Sequence, residues 1–136
     1  FLASLGHRYD APKVSEATVR HWMAQIVNSL VGIHEAGFIH NDLKPANILL
    51  DAAYRVRMAD FGIAVRCRIG STSCTTPKIS ILSSSPEILS QPFAFNRDID
   101  HRSDVYSVGL IAYQLAFGRH PFGADYSEIA RNQWSR

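Results

Sequence analysis

From Asp104 to Phe117 the residues Val105, Tyr106, Val108, Leu110, Ile111, Tyr113, Leu115 and Phe117 run nearly all the way round a helix. A surface helix carries one apolar stripe and a polar back; a helix without a polar back has to be enclosed at the centre of a domain. The rest of the chain is therefore expected to wrap around this segment. At 136 residues it is long enough for one domain with a real core and too short for two ordinary ones. The segment is broken by Ser107, Gly109, Tyr113 and Gln114, and is too short and too polar to span a bilayer. Gly118 closes it, Gly118-Arg119-His120-Pro121-Phe122 reads as a turn, and Ser127 is a candidate cap for a last helix.

A second helix is expected earlier. Ser15 suits an N-cap, and Glu16 places a negative charge at the positive end of the helix dipole. Val19, Trp22, Met23, Ile26, Val27, Leu30 and Ile33 follow at three- and four-residue steps, one apolar stripe that Gly37 terminates. Residues 1–14 read as a loop. Phe38 to His40 can form a short strand, and Ile48 to Leu50 and Arg55 to Met58 read as two strands joined by Asp51-Ala52-Ala53-Tyr54. Residues 63–85 hold Gly70, Pro77 and nine Ser/Thr with little periodicity and read as flexible; residues 90–103 read as a second irregular stretch.

Composition removes several function classes. Apolar residues make up 46% and charged ones 19%, the balance of a globular chain. A net charge of +2 without a Lys/Arg cluster gives no support for a nucleic-acid surface. Phe1 opens the chain with no visible signal or transit peptide. Cys67 and Cys74 make no disulfide framework and lack zinc-pair spacing, so free thiols in a reducing compartment is the favoured reading; a redox-sensitive pair is the alternative.

The chemistry concentrates in His40-Asn41-Asp42-Leu43-Lys44-Pro45-Ala46-Asn47-Ile48-Leu49-Leu50, with Asp60-Phe61-Gly62 downstream. An ordinary carboxylate is ionised at neutral pH, so Asp42 can accept a hydrogen bond from a hydroxyl and take its proton. Lys44 is a compact positive charge two residues on, able to reach a phosphate. Asn47 and Asp60 offer the hard oxygen atoms that Mg²⁺ takes as ligands. Phosphoryl transfer asks mainly for such alignment and charge.

Asn47 lies five residues after Asp42 and Asp60 lies 18 after it. Ser85-Pro86-Glu87, Ser103-Asp104-Val105-Tyr106-Ser107-Val108-Gly109 and Gly118-x-x-Pro121-Phe122 follow in order. This set resembles the eukaryotic protein kinases, over almost the whole chain, from just past the hinge to beyond the central helix. The resemblance implies an α+β fold: a protein-kinase-like large (C-terminal) lobe, mainly helical, with short strands around the catalytic loop. It makes residues 1–136 a partial kinase domain, with catalytic loop 40–47, activation segment 60–87 and central helix 104–117. It implies Asp42 and Lys44 as catalytic residues, Lys44, Asn47 and Asp60 as nucleotide-binding, and Asn47 and Asp60 as metal ligands, with ATP and Mg²⁺ as cofactors. His40 would be structural, Phe61 would pack inside, and Gly62 would let the loop swing. Asp-Leu-Lys-Pro-x-Asn is similar to the serine/threonine branch, so the implied partners are protein substrates bearing Ser or Thr, in an intracellular protein of the cytoplasm or nucleus.

The chain departs from that pattern in places. Asn41 replaces the arginine usual between His and Asp, and a neutral amide cannot make that residue's charge-assisted pair with a phosphate; activation is expected not to depend on a phosphate docking there. Before Ser85-Pro86-Glu87, either Ser80 or Thr76 matches the family's threonine. No glycine-rich phosphate loop is present, and the lysines are Lys13, Lys44 and Lys78. The 136-residue polypeptide alone is thus expected to bind nucleotide poorly and turn over negligibly. A buried Glu87 without the arginine that pairs with it in relatives is expected to cost about 3–5 kcal/mol and to leave a marginal, aggregation-prone product. The alternatives are a pseudokinase serving as a scaffold, and a small-molecule phosphotransferase, against which Ser85-Pro86-Glu87 and Asp104 speak.

Overall fold

The computed structural model describes residues 14–67, 74–90, 97–123 and 125–134. Readings that fall on residues 1–13, 68–73 and 91–96 lie outside these. Helix α1 spans Glu16–Glu35 and is followed by β1 (Phe38–Ile39), a single 3-10 turn (Pro45–Asn47), β2 (Ile48–Leu50) and β3 (Val56–Met58). Then come β4 (Val65–Arg66), β5 (Cys74–Thr76), the short α2 (Pro86–Leu89), β6 (Arg97–Ile99), α3 (His101–Phe117) and α4 (Tyr126–Trp134). The fold is α+β, mainly helical, and the strands of the described residues form three separate antiparallel pairs: β1 with β4, β2 with β3, and β5 with β6. Among the described residues no helix is long and apolar enough to cross a membrane.

The start and stop of α1 follow from its caps. Ser15 Oγ accepts the N–H of Thr18 at 3.2 Å, satisfying one orphan donor of the first turn. Gly37, at φ +79°, takes the left-handed position that ends the helix. The stripe of α1 buries Trp22, Ile26 and Leu30 against Val108, Ile111 and Leu115 of α3, and Leu43, Ile48 and Val56 close this main core. The loop of residues 40–47 therefore rides on the core through Leu43, which is fully buried. Burying a Leu or Ile side chain is worth about 1.5–3 kcal/mol, so the loop is pinned at its centre.

Three expectations need correcting here. Helix α3 starts at His101 rather than Asp104, because Asp100 caps it, accepting the N–H of Arg102 at 2.7 Å. Its first turn is polar, so apolar periodicity could not mark it. Nor is α3 enclosed all round: Val105 is 56% and Phe117 65% exposed. The last helix is capped by Asp125, whose carboxylate accepts the N–H of Glu128, and not by Ser127.

The segment read as flexible carries order at both ends. β4 pairs with β1, β5 pairs with β6, and their ends meet over a second cluster of Ile39, Ile88 and Ile99. There Cys67 and Cys74 form a disulfide with Cα atoms 5.6 Å apart, overturning the free-thiol reading. Strand pairing brings the two cysteines within bridging distance, and spacing along the chain does not show it. Glu87 is also not the expected buried charge. It is exposed and accepts the hydroxyl of Ser85, so the cost of an unpaired buried carboxylate does not arise.

Candidate active site

Two backbone devices assemble the site. The N–H of Ala59 donates to the carbonyl of Asn47 at 2.9 Å, extending the β2–β3 pairing and setting Asp60 beside Asn47. His40, fully buried, donates from Nε2 to the carbonyl of Ala59 at 3.1 Å. That tautomer leaves Nδ1 as the acceptor facing the N–H of Asp42 at 3.4 Å, a long contact. Residues 40–47 and Asp60-Phe61-Gly62 are thus joined from two sides.

Asp42, Lys44 and Asn47 come together directly. Lys44 Nζ donates to Asp42 Oδ2 at 2.7 Å, and Asn47 Nδ2 donates to the same oxygen at 3.0 Å and to the Asp42 carbonyl at 2.8 Å. With its nitrogen turned onto Asp42, the amide of Asn47 keeps its oxygen for a cation. The other carboxylate oxygen, Asp42 Oδ1, is buried with no hydrogen-bond partner. Leaving a buried acceptor unmade costs about 1–3 kcal/mol, more for a charged group, so this oxygen is preorganised to receive a donor.

Asp60 adopts φ +62°, a left-handed conformation that Asp tolerates by hydrogen-bonding its own backbone. It does so here: the N–H of Gly62 donates to Asp60 Oδ1 at 3.2 Å. A Cβ on residue 62 would lie 3.0 Å from that oxygen, which is why glycine suits the position. Phe61, expected inside, is half exposed and rests on the ring of His40 with centroids 4.7 Å apart. Asp42 and Lys44 thus share a direct ion pair, while Asp60 reaches the group through backbone adjacency.

Magnesium takes oxygen ligands, commonly one or two from protein, with phosphate and water completing the shell. The Asp60 carboxylate and Asn47 amide oxygen fit that donor set. Among the described residues no cluster of three or more His, Cys, Asp or Glu could hold a metal ion.

A residue whose role the motif left undefined anchors all of this. Asp104, in the first turn of α3, is fully buried. Its Oδ2 accepts the N–H of His40 and Nε2 of His34, each at 2.8 Å, and its Oδ1 accepts the N–H of Asn41 at 2.9 Å. The signal was an aspartate on an otherwise apolar helix face, a position that requires partners. Of the alternatives for the threonine match, Thr76 is the buried one and bonds the side chain of Asn41; the Ser80 carbonyl caps the turn leading to Ser83 and Ser84.

The mainly helical α+β lobe thus carries an Asp42–Lys44–Asn47 constellation backed by Asp104 on α3. Residues 3–135 match the protein kinase domain family model. A probable serine/threonine-protein kinase of Corynebacterium efficiens is 41% identical over 115 residues, covering 85% of this chain and 17% of that protein. NUAK family SNF1-like kinase 2 of Rattus norvegicus is 36% identical over 138 residues, covering 95% of this chain and 20% of its own length. The serine/threonine-protein kinase pkn3 of Myxococcus xanthus is 35% identical over 116 residues, covering 82% and 21%. The chain belongs to the eukaryotic-type serine/threonine protein kinase family. It spans about a fifth of the length of these relatives.

Proposed function

We propose that the protein containing this chain transfers the terminal phosphoryl group of ATP to serine or threonine hydroxyls of protein substrates. The observation that carries the reading is the divided carboxylate of Asp42: one oxygen held by Lys44 and Asn47, the other buried and unpartnered. Asp42 Oδ1 accepts the hydrogen bond of an incoming hydroxyl, aligns its oxygen, and receives the proton as the new phosphorus–oxygen bond forms. Lys44 holds the carboxylate in place and puts positive charge beside the transferring group. Asn47 and Asp60 would hold magnesium through their oxygen atoms, and the bound ion supplies charge neutralisation between phosphates.

The serine/threonine preference follows the Asp-Leu-Lys-Pro-x-Asn run and the names of the relatives. The test is radiolabel transfer from ATP by the full-length protein to peptides offering Ser, Thr or Tyr. Labelling of Ser/Thr peptides is expected. Labelling of Tyr alone overturns the substrate class, and nucleotide binding without any transfer supports a scaffold instead.

A further inference from the structure

Asn41 sits directly before Asp42 at φ +65°, a left-handed conformation that is strained for most side chains and easiest for Gly, Asn and Asp. Its own N–H is fixed by Asp104 Oδ1 at 2.9 Å, so its side chain has a defined aim. That side chain points at two stretches of the segment between Asp60 and Glu87. Nδ2 lies 2.8 Å from the carbonyl of Lys78, 3.2 Å from the carbonyl of Ile63 and 3.3 Å from Thr76 Oγ1. One amide has two N–H bonds. The shortest contact takes one of them, and the other is divided between Ile63 and Thr76. Thr76, itself buried, closes the knot: its hydroxyl donates to the Lys78 carbonyl at 2.8 Å and accepts the Lys78 N–H at 3.2 Å.

We propose that Asn41 is a positioning residue that clamps both limbs of the activation segment, at Ile63 and at Lys78, to the backbone just before Asp42 without any anion. The acceptors it meets are two carbonyls and a hydroxyl, all neutral. A cationic side chain at this place is balanced only when an anion arrives; a neutral amide is satisfied by what the fold already supplies. The clamp is thus made whenever the segment is folded, and it fixes the loop whose next residue carries the unpartnered carboxylate oxygen. For its catalytic consequence this inference rests on the kinase reading above; the clamp itself does not.

Two substitutions separate the amide from the backbone. Asn41→Gly keeps the left-handed conformation and removes the amide. Asn41→Asp keeps shape and backbone tolerance but turns carboxylate oxygens toward carbonyl oxygens. In the full-length protein, amide hydrogen exchange at residues 63–66 and at Thr76, Lys78 and Ile79 is expected to speed up about tenfold in the glycine variant and more in the aspartate variant. The kcat for a Ser/Thr peptide falls about tenfold while KM for ATP changes less than about twofold, since Asn47 and Asp60 are untouched. Phosphatase treatment of the unmodified protein leaves its activity unchanged. Exchange unaltered in both variants overturns the clamp, and so does loss of unmodified activity on phosphatase treatment. If the aspartate variant fails to fold, the glycine variant carries the test. Faster exchange in a protein that transfers no phosphate sinks the kinase reading and leaves the clamp standing.

Discussion

The carboxylate of Asp104 accepts the backbone N–H of His40 at 2.8 Å, across 64 residues of sequence. This single bond ties the first turn of α3 to the start of the loop that carries Asp42. The bonds from Asn41 N and His34 Nε2 to the same carboxylate make it a three-donor anchor. Backbone amides so held cannot drift, and Asp42 inherits their position.

Asp104→Ala strips a fully buried acceptor from three donors. At about 1–3 kcal/mol for each unmet buried group, the loss is expected to be about 3 kcal/mol or more. Asp104→Asn keeps one acceptor oxygen and falls between. Urea unfolding of the three proteins checks the order, and an alanine variant as stable as the parent refutes the anchor.

Much of this was legible in the sequence and some was not, for physical reasons. Helix α1 was readable because its stripe has the helical period and its ends carry a serine cap and a left-handed glycine. The residues of the candidate site were readable because Asp42, Lys44, Asn47 and Asp60 are local in sequence and share strands β2 and β3 as their frame. Non-local partnership was hidden. The contact of Cys67 with Cys74 depends on strand pairs β1–β4 and β5–β6, which two- and three-residue strands do not announce by alternation. The polar first turn of α3 and the three donors of Asp104 were hidden for the same reason. A buried aspartate declares that it needs partners without saying which.

Asp42→Asn leaves the shape of the loop intact and replaces one acceptor oxygen with a donor nitrogen. A positioned base commonly contributes 10²–10⁴-fold, so phosphotransfer by the full-length protein is expected to fall by about that factor with its melting temperature little changed. Wild-type turnover in this variant removes Asp42 from the chemistry.

The disulfide closes a short loop, Cys67 and Cys74 being seven residues apart. Constraining the unfolded chain by so small a ring is worth about 2–3 kcal/mol on the loop-entropy scale. Cys67→Ser, or reductant added to the parent, should lower the unfolding free energy measured in urea by that amount, while the variant itself no longer responds to reductant. Two titratable thiols in the native, unreduced protein contradict the bridge.

Asp51 gives a pH dependence with a definite sign. It braces the β2–β3 turn: Oδ1 accepts the N–H groups of Ala53 and Arg55, and Oδ2 accepts Arg55 Nε at 2.9 Å and Arg57 at 3.2 Å. The backbone bond from Arg55 leads in holding its carboxyl down, to about 2 from an ordinary 3.8, with the Ala53 N–H and the two guanidinium groups adding to it. A carboxyl depressed on folding binds its proton more readily in the unfolded chain. Its stabilisation is therefore complete above the ordinary value and is lost as the pH falls from about 4 towards 2. Tyr54, at φ +58° in this turn, depends on the same brace. The carboxyl carbon of Asp51, followed by NMR, should titrate near 2. Asp51→Asn keeps the acceptor for the two backbone N–H groups but removes the charge, so it should flatten the acid limb of stability. A midpoint at the ordinary carboxylate value would show that the arginines and backbone donors do not hold this turn.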